Sequence, residues 1–192
     1  MEYYPVINQK GEFNKGTAEY FISNGETEEA SDFFKYEREM YPDNVNVFAL
    51  KWINKIVNQV DTKENIQKEI KSDLLEIDKI ETELSNKSII YFIGYYLMDD
   101  TTNYEKTILN ISNFKNIPIL NNYFIADFFQ SILTINKTPE QIGKDSIFVK
   151  ILANNPESRL AEIAFNSGQI FDYFLPNSKN AITIINFIEN KQ

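Results

Sequence analysis

The sequence predicts an all-α fold, built as an array of antiparallel helix hairpins. Three observations carry this. Apolar residues recur at spacings of three and four through most of the 192 residues, whereas period-two alternation is weak. The six glycines and six prolines fall mostly between the apolar stretches, where helices stop. A chain that is 43% hydrophobic and 24% charged is globular by composition and long enough to bury a core.

The first helix is expected over 12–24, with Gly25 as its stop, because glycine accepts the left-handed conformation that closes a helix. A second runs over 27–40. Pro42 ends it by removing a backbone donor and disfavouring helix at Tyr41. A third covers 45–60 around Trp52. The stretch 61–85 reads as one helix: Asp61 or Thr62 can cap it, and Ile66, Ile70, Leu74, Ile77, Ile80 and Leu84 form one stripe. A fifth helix spans 88–98 and is broken at Asp99-Asp100. A sixth runs over 103–116. Pro118 opens an aromatic stretch, with Tyr123, Phe124, Phe128 and Phe129, that reads as a buried helix to 135. Thr138-Pro139-Glu140-Gln141 has the form of a capping box with proline at the first helical position. Asn155-Pro156-Glu157 repeats the device, with Gly168 as the stop, and a last apolar segment covers 181–188.

The chain repeats itself. Ala18-Glu19-Tyr20-Phe21-Ile22-Ser23-Asn24-Gly25 returns as Ala161-Glu162-Ile163-Ala164-Phe165-Asn166-Ser167-Gly168. Tyr-Phe-Ile occurs at 20–22, 91–93 and 123–125. These offsets lie near multiples of one helix-hairpin length, although a chain rich in Ile, Phe and Tyr also produces such matches by chance. The implied units are 11–44, 45–86, 87–120, 121–154 and 155–192 of a single domain.

Residues 11–44 resemble one tetratricopeptide (TPR) motif. With Gly11 as the first position, Ala18 and Ala30 take the small-residue positions of the two helices. Phe21 and Phe34 take the large apolar positions, Gly25 the turn and Pro42 the closing proline. Asn14 and Thr17 depart from the usual Trp and Leu. The unit from Asn103 lacks the glycine turn, and the unit at 162–174 lacks the second small residue. The resemblance implies a TPR-like α-solenoid or right-handed superhelix whose groove is lined by the first helix of each hairpin. It points Lys15, Glu19 and Ile22 toward a partner.

The composition excludes much chemistry. With no His and no Cys, there is no Ser-His-Asp triad, Cys nucleophile, redox pair, Cys/His zinc site or disulfide. No glycine-rich phosphate loop and no calcium-loop pattern occurs, so no cofactor and no metal is expected. Asp99-Asp100 is the tightest acidic pair of the C-terminal part, but Asp favours turns by bonding its own backbone. Glu26, Glu28 and Glu29 suit the positive end of a helix dipole. Tyr91, Phe92, Tyr95 and Tyr96 fit a core face at helical spacing, with a ligand-stacking surface as the other reading.

The 19 basic and 28 acidic side chains give a net charge of −9, and residues 1–88 hold 11 of the basic and 18 of the acidic groups. The basic clustering that nucleic acids require is missing, and no apolar run reaches the roughly 18 residues of a membrane span. Met1-Glu2-Tyr3-Tyr4-Pro5 carries no secretory signal, so a cytoplasmic chain is expected, or a periplasmic or surface one if a signal has been removed. The expected function is non-catalytic: a protein- or peptide-binding helical-repeat module, acting as a scaffold or adaptor, with a basic partner suggested by the charge. The alternative is an acidic inhibitor, such as an immunity-type protein, that masks a basic toxin or enzyme surface. An enzyme with a carboxylate site ranks behind both.

Overall fold

Gly25 and Pro42 stop helices where the sequence places them. In the computed structural model, which describes residues 15–165 and 186–189, α1 (Lys15–Asn24) ends at Gly25 with φ +71°. Next come α2 (Thr27–Met40), α3 (Asn46–Val57), α4 (Lys63–Ile77), α5 (Leu84–Leu97) and α6 (Thr101–Ile111). A 3-10 turn at Pro118–Asn121 leads into α7 (Tyr123–Thr134), α8 (Pro139–Lys144), α9 (Ser146–Asn154) and α10 (Arg159–Phe165). The described residues contain no strand, so the fold is all-α, and none of their helices is long and apolar enough to cross a membrane. The expected start of the first helix at residue 12 and the stop at Gly168 lie outside the described residues. So does most of the segment 181–188; residues 186–189 are helical.

Capping accounts for most of the boundaries. Thr62 Oγ1 accepts from Asn65 N (3.3 Å) at the start of α4. Asp100 accepts from Asn103 N (3.2 Å) at α6, and Asn122 from Ile125 N (3.0 Å) at α7. Thr138 and Gln141 form the expected capping box. Such caps contribute about 1 kcal/mol each. Asp99, at φ +62°, closes α5 in the turn expected for the acidic pair, and Glu28 and Glu29 fill the first turn of α2.

Three expectations are corrected. The single helix over 61–85 is two: α4 stops at Ile77, Ile80 lies in the turn, and Leu84 begins α5. No glycine or proline marks this break. The end of α4 is instead capped from α5, where Lys87 Nζ donates to the Asp78 carbonyl (3.3 Å) and Tyr91 Oη to Asp78 Oδ1. The last hairpin does not start at Pro156. Asn155 ends α9, and Ser158 Oγ accepts from Ala161 N (3.2 Å) to start α10. The interval 121–154 holds three helices, because Asp145 Oδ1 takes the amides of Ile147 and Phe148 (both 3.0 Å) and starts α9 directly after α8.

From α1 to α6 each helix packs on the next, and the odd-numbered helices meet one another: α1 on α3, α3 on α5, α5 on α7. α3 also touches α7, which leaves it buried on most sides. Trp52, Phe92, Phe128 and Phe129 are fully buried in the core. Gly94 lets α5 approach closely: a Cβ there would lie 3.1 Å from Leu74 Cδ2 and 3.3 Å from both Ile70 Cγ2 and Trp52 Cη2. At the far end, α6 and α9 are laced together. Asn154 Nδ2 donates to the Ser112 carbonyl (2.9 Å), and Asn116 N to the Asn154 carbonyl (3.2 Å). Asn155 Oδ1 accepts from Ile117 N (2.7 Å).

Candidate functional site

The three helices α2, α3 and α4 enclose an open cleft of about 450 Å³. Helical spacing builds its walls. Ser31, Phe34, Lys35 and Arg38 follow one another at three and four along α2, and Val47, Phe48 and Lys51 do so along α3. The floor is apolar, formed by Phe34, Val47 and Phe48. Two cations stand over the Phe48 ring, Arg38 Cζ at 4.7 Å and Lys51 Nζ at 5.5 Å from its centroid. This geometry adds a cation–π attraction of about 0.5–1 kcal/mol per contact at a partly exposed site.

Carboxylates of α4 hold these cations in place. Arg38 pairs with Glu76 and donates to the Pro42 carbonyl (3.0 Å), which also ties down the α2–α3 turn. Lys51 Nζ lies 2.7 Å from Asp73 Oδ2 and 3.2 Å from Glu69 Oε1, and Lys55 pairs with the same Glu69. Trp52 Nε1 donates to Asp73 Oδ2 (2.7 Å), joining the network to the core. Burial holds the Asp73 carboxyl above its ordinary range, although Lys51 and Trp52 pull it down. Burial also raises Glu69, but there the hydrogen bonds and charges of Lys55 and Lys51 win and the net shift is downward. Both cations of the cleft are thus paired with α4 carboxylates. Lys35, weakly paired with Asp32 at 3.4 Å, and Glu39 form the exposed rim.

Chemically, this is an amphipathic notch: the stems of Lys35, Arg38 and Lys51 line it above the nearly covered Phe48 ring (2% exposed), and an apolar side chain can lie against those stems while charged groups at the rim orient the rest of the guest. Among the described residues, no group of three or more His, Cys, Asp or Glu could hold a metal ion.

Of the three residues expected to face a partner, Ile22 has a side chain at 0% exposure in the core, with its carbonyl taken by Asn58 Nδ2 (3.1 Å). Lys15 and Glu19 lie on the α1 backbone, and their side chains are outside the described residues. The cleft lies between α2, α3 and α4 and was not foreseen. Its signals in the sequence were the Phe34/Lys35/Arg38 and Phe48/Lys51 stripes, which carry one of only two arginines in the chain. Sequence alone does not show that these stripes face each other.

No protein-family model, no curated protein and no solved structure matches the chain.

Proposed function

We propose that the chain is a non-catalytic, TPR-like helical module that binds a segment of another protein, with the α2–α3–α4 cleft as its binding surface. The observation that carries this reading is the cleft lined by the stems of Arg38 and Lys51 over the buried Phe48 ring, with both cations paired to α4 carboxylates before any guest arrives. A preorganised apolar anchor point with a charged rim is how interfaces concentrate affinity in a few residues. The stacking of α1, α3 and α5 with their chain neighbours supports the hairpin-array part of the reading.

A photo-crosslinking residue placed at position 39, on the cleft rim, tests it in the source cell, with position 105 on α6 as the control. An adduct from position 39 alone supports the cleft. An adduct from position 105 alone, or equally from both, or none from position 39, overturns it. The net charge of −9 favours the second reading, an acidic inhibitor masking a basic surface. A pull-down from lysate of the source cell at low salt and at 1 M salt separates the two, since masking driven by charge is lost at high salt and apolar docking is kept.

A further inference from the structure

A second surface stands apart from the cleft, on α5 and α6. Tyr91 and Tyr95 lie one helical turn apart on α5 with rings stacked at 6.1 Å and 28°. Beside them Tyr96 stacks on Phe92 (6.5 Å, 28°) and meets Tyr104 of α6 edge-on (5.7 Å, 83°). Phe92 is fully buried and packs against Phe129 (5.1 Å), so the group is anchored in the core. Of the expected core face, Phe92 is fully buried, while Tyr91, Tyr95 and Tyr96, together with Tyr104, are half-buried and pack against the core.

Carboxylates border these rings. Tyr91 Oη donates to Asp78 Oδ1. Asp99 N bonds the Tyr96 carbonyl (3.0 Å) and Asp100 N the Tyr95 carbonyl (2.9 Å), which sets both acids at the end of the tyrosine row. Asp99 is exposed at the turn, while Asp100 faces α6 as its cap. Lys87, a turn before Tyr91, places its ammonium on the Asp78 carbonyl. Burial, assisted by Tyr104 and Asp99, pushes the Tyr96 hydroxyl up to about 12. Burial with Asp78 and Asp100 raises Tyr95 as well. The phenols therefore stay neutral at any physiological pH.

We infer that this tyrosine–aspartate face binds a basic protein segment that lays arginine side chains on the rings and against Asp78, Asp99 and Asp100. Charge complementarity selects the occupant. Tyrosine faces are electron-rich, the bordering acids are anionic, and the whole chain carries −9, which steers a cationic partner inward. A planar guanidinium stacks on a ring and bonds a carboxylate at once, which an ammonium cannot do as well. The row from Tyr91 to Tyr96 spans about 7.5 Å along the helix, enough for more than one such side chain.

The test uses the full chain and a nine-residue peptide of alternating Arg and Gly, with a Glu–Gly peptide of equal length as control. Binding is followed by calorimetry and by the tyrosine ring resonances. The Arg peptide is expected to bind, to shift the Tyr91, Tyr95 and Tyr96 rings, and to bind about tenfold more weakly to Tyr95→Ala. The double variant D78N/D100N should weaken it similarly, because Asn keeps both the Tyr91 acceptor and the α6 cap while removing two charges. Tyr20→Ala, at an exposed tyrosine of α1, should bind as the wild type does. Circular dichroism checks that each variant folds. The inference is overturned if the peptide does not bind, if it binds the Tyr95 and aspartate variants as it binds the wild type, or if the shifts map to the α2–α4 cleft. Lys35→Glu and Glu39→Lys belong to the cleft alone and should leave peptide binding unchanged, so failure of one surface is distinguishable from failure of the other.

Discussion

Gly94→Ala is the substitution for which the packing and the helix propensity disagree in sign. Gly94 lies inside α5, where alanine is favoured by about 1 kcal/mol because glycine loses more backbone freedom on folding. Against this, the new methyl would meet three atoms at 3.1–3.3 Å: Leu74 Cδ2, Ile70 Cγ2 and Trp52 Cη2. None of them moves freely. Ile70 is β-branched and fully buried, and Trp52 is held by its bond to Asp73. Leu74 is the one that can turn. Overpacking of this kind costs about 1–3 kcal/mol, so the net expectation is a loss of about 1 kcal/mol. For a chain of this size that lowers the melting temperature by about 2–4 °C. Trp52 is the sole tryptophan and sits at the contact, so urea titration read by its fluorescence, alongside circular dichroism, reports both the stability and the local fit. An unchanged or raised midpoint would refute the claim that close α4–α5 packing is what requires glycine.

Two further predictions concern charge and capping. Lys51→Met strips Asp73 and part of Glu69 of their counter-charge. The lysine side chain is 26% exposed, so the cost at pH 7 is set below that of a fully buried pair, at about 2 kcal/mol. Asp73 is raised in the folded chain, so ionising it subtracts stability as pH climbs past the ordinary carboxylate range. Glu69 is lowered, so its contribution is present above that range and lost on acidification. Losing Lys51 worsens both at neutral pH, and the cost should shrink toward pH 3; urea midpoints that shift equally at pH 7 and pH 3 would contradict this. Asp145→Ala removes the acceptor for two amides at the start of α9 and should cost about 1–2 kcal/mol. Burial raises this carboxyl, but Lys137 and the Phe148 amide outweigh it and lower it overall, so the wild-type advantage should fade as pH falls through its lowered value. Thermal melts of both proteins between pH 7 and pH 2 check it, and a constant gap would count against the cap.

The sequence made local features legible and left tertiary ones hidden. The bounds of α2, the left-handed close at Gly25, the Thr138 capping box and the Asp99 turn all rest on residues within four positions of each other. The break between α4 and α5 rests on Lys87 and Tyr91 reaching back to Asp78, and the apolar spacing runs straight through it at Ile77, Ile80 and Leu84. Asn155 looked like a helix start because a proline follows it. In place it serves Ile117, 38 residues away, and leaves the cap to Ser158. The cleft was invisible for the same reason: its two stripes are ordinary surface faces until α3 is turned toward α2.

The lacing of α6 to α9 bears on how the chain opens. Ser112, Asn116 and Ile117 leave α6 and approach the 3-10 turn, and each is held by Asn154 or Asn155. These bonds all end on two adjacent residues at one helix terminus. Fraying the last turn of α9 breaks these bonds too, so hydrogen exchange should show the two segments opening together, although they lie about 40 residues apart in the chain.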